Sequence, residues 1–136
     1  MPFNLLIVDD SETVRSVISK TLELSGLDLG LYYAANGRQA LDVLHEHWID
    51  LVFTDLNMPV MTGMELIETM RREAMLEKTS VVVVSAEGSQ TRIDDLLARG
   101  VQACLHKPFT PEKLRALVED LLGIEHDEIK TRYDRR

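Results

Sequence analysis

Four short apolar runs punctuate the chain, and each ends in a polar residue of a different kind. Leu5-Leu6-Ile7-Val8 runs into Asp9-Asp10, and Leu51-Val52-Phe53-Thr54 runs into Asp55. Val81-Val82-Val83-Val84 ends in Ser85, and Val101 to His106 leads into Lys107-Pro108. Apolar runs of this length between polar groups read as strands buried on both faces, the signature of a parallel sheet. A further strand is expected from Leu29 to Ala34. Between the strands the period changes from two to 3.6 residues. Val14, Val17, Ile18, Thr21 and Leu22 form one stripe, with Ser11 as the helix N-cap and Ser25-Gly26 as its stop. Ala40, Leu41, Leu44 and Trp48 mark a second helix entered through Asn36-Gly37, and Leu66, Ile67, Met70 and Ala74 mark a third. A fourth, roughly Ser89 to Arg99, buries Ile93, Leu96 and Leu97 and stops at Gly100. The fifth starts at Thr110-Pro111 and buries Leu114, Leu117, Val118, Leu121 and Leu122.

Five strands alternating with five helices predict an α/β fold: a five-stranded parallel sheet covered on both faces. In the flavodoxin-like strand order 2-1-3-4-5, the first and third strands are neighbours and working groups collect beyond the carboxyl ends of the strands. Asp9, Asp10 and Asp55 then share one crevice with Ser85 and Lys107. Crowded carboxylates repel unless something positive joins them. Hard oxygen ligands with open positions suit Mg²⁺ or Mn²⁺ rather than zinc.

Taken singly, each of these residues has a plainer reading. An Asp after a strand can cap the next helix, and Asp55 could be satisfied by loop amides. Their coincidence at the ends of several strands favours a site.

Composition narrows the classes. At 136 residues the chain is one domain with room for a core. Its net charge of −8 argues against a nucleic-acid or anionic-membrane surface. The four acids and four bases of residues 124–136 cancel, so that charge belongs to the body. No stretch has the length of a membrane span or the pattern of a signal peptide, and the single cysteine, Cys104, fits a reducing cytosol. The expected location is cytoplasmic. The expected division is a folded domain over 1–123 and a charged, solvated tail over 124–136.

The pattern Asp9-Asp10, Asp55-Leu56-Asn57-Met58-Pro59 with Gly63, Ser85-Ala86 and Lys107-Pro108-Phe109 closely resembles the CheY-like receiver domain of bacterial two-component response regulators. It covers about Asn4 to Leu122. The resemblance implies a stand-alone signalling module rather than an enzyme. Asp55 would accept a phosphoryl group from a sensor histidine kinase or phosphotransfer protein. Asp10, Asp55 and the Asn57 carbonyl would ligate Mg²⁺, with Asp9 acting through water. Lys107 would pair with Asp55 before phosphorylation and with phosphoryl oxygens after it. Ser85 would donate its hydroxyl once the group arrives, and the Lys107-Pro108 bond would be cis. Asn57 and Glu87, each two residues beyond a site residue, would influence attack by water.

Output would be contact with a downstream protein through the face of the fourth helix, fifth strand and fifth helix, as a monomer or a phosphorylation-linked dimer. A phosphorelay intermediate or phosphate sink is the alternative. Cys104 departs from the pattern, since Tyr or Phe usually stands three residues before the lysine. That puts a ring-based readout, and any flagellar-motor role resting on it, in doubt.

Other classes fit less well. A haloacid-dehalogenase-type hydrolase needs Asp-x-Asp, but Ser11 and Glu12 stand two residues after Asp9 and Asp10. A flavin or nucleotide binder needs a Gly- or Ser/Thr-rich phosphate loop where this chain has two acids. A degenerate scaffold would lack an acceptor, a ligand or the lysine. Met58, Met61, Met64, Met70 and Met75 read as core filler. His45, His47, His106 and His126 read as solvated or capping, and Arg15 and Glu23 as surface charges.

Overall fold

A computed structural model describes residues 2–86 and 88–123. Glu87, His126 and the tail over 124–136 lie outside the described residues.

The strands are β1 (Phe3–Val8), β2 (Leu29–Ala34), β3 (Leu51–Thr54), β4 (Ser80–Ser85) and β5 (Ala103–His106). They form one parallel sheet in the order β2-β1-β3-β4-β5. The helices are α1 (Glu12–Glu23), α2 (Gly37–Glu46), α3 (Gly63–Arg72), α4 (Gln90–Ala98) and α5 (Pro111–Leu121). This is the expected architecture and strand order.

Alternation along the central strands divides the core in two. Leu5, Ile7, Leu51, Phe53, Val82 and Val84 face Ile18 and Leu22 of α1 and Leu114 and Val118 of α5. Leu6, Val8, Val52, Val81 and Val83 face Ala40 and Leu41 of α2, Leu66, Ile67 and Met70 of α3, and Leu96 of α4. Full burial of each such aliphatic side chain is worth roughly 1.5–3 kcal/mol, so the three central strands are the most firmly held. Their carboxyl ends carry the polar residues.

Four helices begin where the capping residues predict. Ser11, Asn36, Ser89 and Thr110 accept the backbone N–H of Val14, Gln39, Arg92 and Lys113. The apolar stripes are narrower than expected. Val17 lies about 100° around the helix from Ile18, off the buried stripe, and is 53% exposed. Leu97 is likewise exposed beside the buried Leu96. Trp48 lies past the end of α2. It stands out from the surface with its indole N–H on Asp50 and the Lys78 ammonium 5.6 Å from its ring centre. Ala74 lies beyond α3 in a left-handed turn (φ 60°) that starts a short 3-10 segment, Met75–Glu77. The edge strands β2 and β5 are only partly covered, because a sheet edge lacks a neighbour on one side. The methionines serve the core: Met58 and Met70 are buried, and Met61, Met64 and Met75 pack against the same cluster.

Candidate phosphoacceptor site

Register explains how distant acids meet. Val8 pairs with Thr54, so Asp9 and Asp55, the next residue on each strand, emerge side by side. Asp55 N–H donates to the Val8 carbonyl at 3.0 Å, and Asp9 N–H to the Ala34 carbonyl at 3.1 Å. On the far side Ser85 pairs with His106, and Lys107 N–H donates to the Ser85 carbonyl at 2.9 Å. Each element therefore delivers its polar group to the same edge of the sheet.

Asp9, Asp10 and Asp55 each offer a carboxylate oxygen within 4.8 Å of the others. Asp9 is buried, Asp10 exposed and Asp55 between them. The Lys107 ammonium lies 3.3 Å from Asp9 Oδ2 and 3.9 Å from Asp55 Oδ2. The expected partner was Asp55 alone; the ammonium bridges both acids and sits nearer Asp9, the more buried of the two. Unit charges about 4 Å apart interact by about 4 kcal/mol at an effective dielectric of 20. One ammonium therefore cannot settle three carboxylates, and two negative charges remain. The oxygen-only donor set, the close spacing and the open Asp10 side fit a divalent hard cation. This acidic triad is what the resemblance to receiver domains implies for a Mg²⁺ site.

Local packing fixes Asp55. Its Oδ1 accepts the Leu56 N–H at 2.8 Å, and the buried Thr54 hydroxyl donates to its carbonyl at 2.8 Å. Gly63 N–H donates to the Leu56 carbonyl at 2.9 Å, drawing the start of α3 beneath the acid. A methyl group at Gly63 would fall on the Asp55 carbonyl oxygen, so glycine is required there for close approach. The intervening loop turns at Val60, exposed and left-handed at φ 68°.

Burial pushes the Asp55 carboxyl up from its ordinary value of 3.8. The Leu56 N–H, the Lys107 ammonium and the Asn57 N–H oppose that rise, while the Asp9 charge adds to it. Desolvation is the largest cause, because burial penalises the charged form of the acid.

Ser85 is buried at the end of β4. The Lys107-Pro108 bond is cis, as the resemblance implied. The Asn57 N–H faces the Asp55 carboxylate. Cys104 is half-buried against the α2–α4 core, and burial pushes its thiol up; it serves packing. Among the described residues, the histidines engage other groups than the triad. His45 bonds Glu73 at 2.9 Å, the His47 ring lies 4.6 Å from that of Tyr32, and His106 sits against Gly88.

Arg15 corrects the sequence reading. It is half-buried, and its Nη1 donates to the Asp9 carbonyl. Its place a turn and a half beyond Asp9 was the available signal. A charge beside an apolar stripe reads equally well as solvated, so the sequence left the contact undecided.

Comparison with known proteins agrees with this geometry. Residues 5–119 match the family model for the response regulator receiver domain. A chemotaxis protein CheY homolog of Campylobacter jejuni is 38% identical over 120 residues, covering 88% of this chain and 92% of that protein. The chemotaxis protein CheY of Pseudomonas aeruginosa is 36% identical, covering 86% and 94% respectively. The solved structure of the chemotaxis response regulator CheY4 of Vibrio cholerae superposes with a TM-score of 0.80. It is 31% identical, over 89% of this chain and 99% of that one. With its strand order, its acidic triad and its lysine just past β5, this chain belongs to the response regulator receiver domain family, as a CheY-like signalling module of two-component systems.

Proposed function

We propose that Asp55 is the phosphoacceptor of a Mg²⁺-dependent phosphotransfer from a sensor histidine kinase or phosphotransfer protein. The aspartyl phosphate then controls contact with a downstream protein. The observation that carries this reading is the convergence of three carboxylates and the Lys107 ammonium at the carboxyl end of the sheet.

An Asp55 carboxylate oxygen attacks the phosphorus of a phosphohistidine. The new O–P bond forms as the N–P bond breaks, and the imidazole nitrogen leaves with the electron pair. Such transfers depend on positioning and on neutralising the equatorial oxygens. The Leu56 N–H holds one Asp55 oxygen and so aims the other. Lys107, already between Asp9 and Asp55, needs only a small movement to meet a phosphoryl oxygen. Ser85, on the strand beyond β3, donates its hydroxyl to another. A Mg²⁺ held by Asp10, Asp55 and the Asn57 carbonyl, with Asp9 behind it, would supply the remaining counter-charge.

The Ser85 hydroxyl and the Lys107 ammonium give phosphorylation its mechanical effect. Holding them on the phosphoryl group biases the β4–α4 loop toward one arrangement, a two-state shift read at the face of α4, β5 and α5. Cys104 offers no ring to that face, so the readout differs from one built on an aromatic side chain.

Beryllofluoride, which mimics the phosphoryl group, tests acceptor and switch together. With Mg²⁺ present it should shift the amide resonances of Ser85, Ala86 and Lys107 in the wild type and leave Asp55→Ala unmoved. Equal shifts in the variant, or none in the wild type, would contradict the proposal.

A further inference from the structure

Among the described residues, Asp9 is held at every polar atom. Its N–H donates to Ala34, and its Oδ1 accepts the Ser11 N–H at 2.9 Å. Its Oδ2 lies 3.3 Å from the Lys107 ammonium, and its carbonyl accepts from Arg15. That carbonyl belongs to the peptide joining Asp9 to Asp10. Peptide units are planar and stiff, so a side chain gripping this oxygen sets the direction in which Asp10 leaves the backbone. Asp10 itself is exposed, at the mouth of the triad. A position with so little packing of its own depends most on how its backbone is aimed.

We propose that Arg15 is a positioning residue. By fixing the Asp9–Asp10 peptide, it presents the Asp10 carboxylate to a divalent cation. The inference rests on the proposed Mg²⁺-dependent function but assigns a residue outside the acidic cluster. Its sign distinguishes it from simple electrostatics. A guanidinium beside a cation site repels the occupant, so removing its charge should by itself tighten Mg²⁺ binding. Loss of positioning should weaken it.

The experiment is calorimetric titration of metal-free wild type, Arg15→Met and Arg15→Lys with Mg²⁺. It is run well below each variant's unfolding midpoint, so that altered stability does not enter the affinity. The same proteins, metal-free, are measured by amide ¹⁵N relaxation at Asp10. Arg15→Met keeps the apolar stem and removes the donor. It should weaken Mg²⁺ binding about tenfold, the lower end of what losing an outer partner costs. It should also lower the order of the Asp10 amide. Arg15→Lys, which keeps charge and a donor on a shorter reach, should fall between. Unchanged or tighter binding in Arg15→Met would overturn the proposal, as would an Asp10 amide as ordered as in wild type. Absence of Mg²⁺ binding in the wild type would instead overturn the proposed function, while the relaxation comparison would still decide whether Arg15 orders Asp10.

Discussion

Asp55 carries its charge at a cost. Burial and the neighbouring Asp9 raise its carboxyl, so the folded state binds its proton more tightly than the unfolded chain does. Stability contributed by this group therefore falls as pH rises from 3.8 to the raised folded value, and stays level above it. Asp55→Asn removes that loss while its amide oxygen can still accept the Leu56 N–H. In metal-free buffer the variant should be more stable than wild type at neutral pH, and the difference should close as pH falls below the ordinary carboxylate range. Parallel urea titrations across pH check this, and a gap that widens in acid would contradict it. The acids, Ser85 and Lys107 were readable because each stands at or just past the end of a strand-like run. Arg15 was not, because its function depends on which carbonyl a flexible side chain meets, and no spacing encodes that.

The elements show what position alone can encode. Ser11, Asn36, Ser89 and Thr110 announce helix starts because a short side-chain acceptor just before an apolar stripe satisfies the orphan N–H groups there. The capping box of α3, Thr62 with Glu65, follows the same rule inside the loop after Asp55. It anchors the helix whose first residue, Gly63, packs beneath Asp55. Thr62→Ala should cost about 1 kcal/mol, seen as a lower denaturation midpoint with little change in the urea dependence. An unchanged midpoint would show that the loop, not the cap, sets the start of α3. Stripe edges were harder to read. Val17 falls three residues after Val14 and Trp48 four after Leu44, yet Val17 lies off the buried face and Trp48 past the end of its helix. Met75–Glu77 escaped because three residues carry no period.

Across the whole molecule, the alternation of strands and helices pointed to a parallel sheet, but pattern does not set register. Pairing of Val8 with Thr54 and of Ser85 with His106 turns separate strand ends into one site. A slip of one residue would send the acids to opposite faces. The net charge of −8 tells against nucleic-acid partners, while the triad gives part of that charge a local use. The two half-cores pack on either face of β1, β3 and β4 and so fix the strand ends from which the site residues emerge.

The proposed transfer makes an acyl phosphate of Asp55. Intact mass after incubation with Mg²⁺ and acetyl phosphate tests it most directly, beside a Mg²⁺-free sample and Asp55→Ala. A gain of one phosphoryl group is expected in wild type with Mg²⁺, and none in either control. An equal gain in Asp55→Ala would contradict it, as would no gain in a wild type shown to bind Mg²⁺.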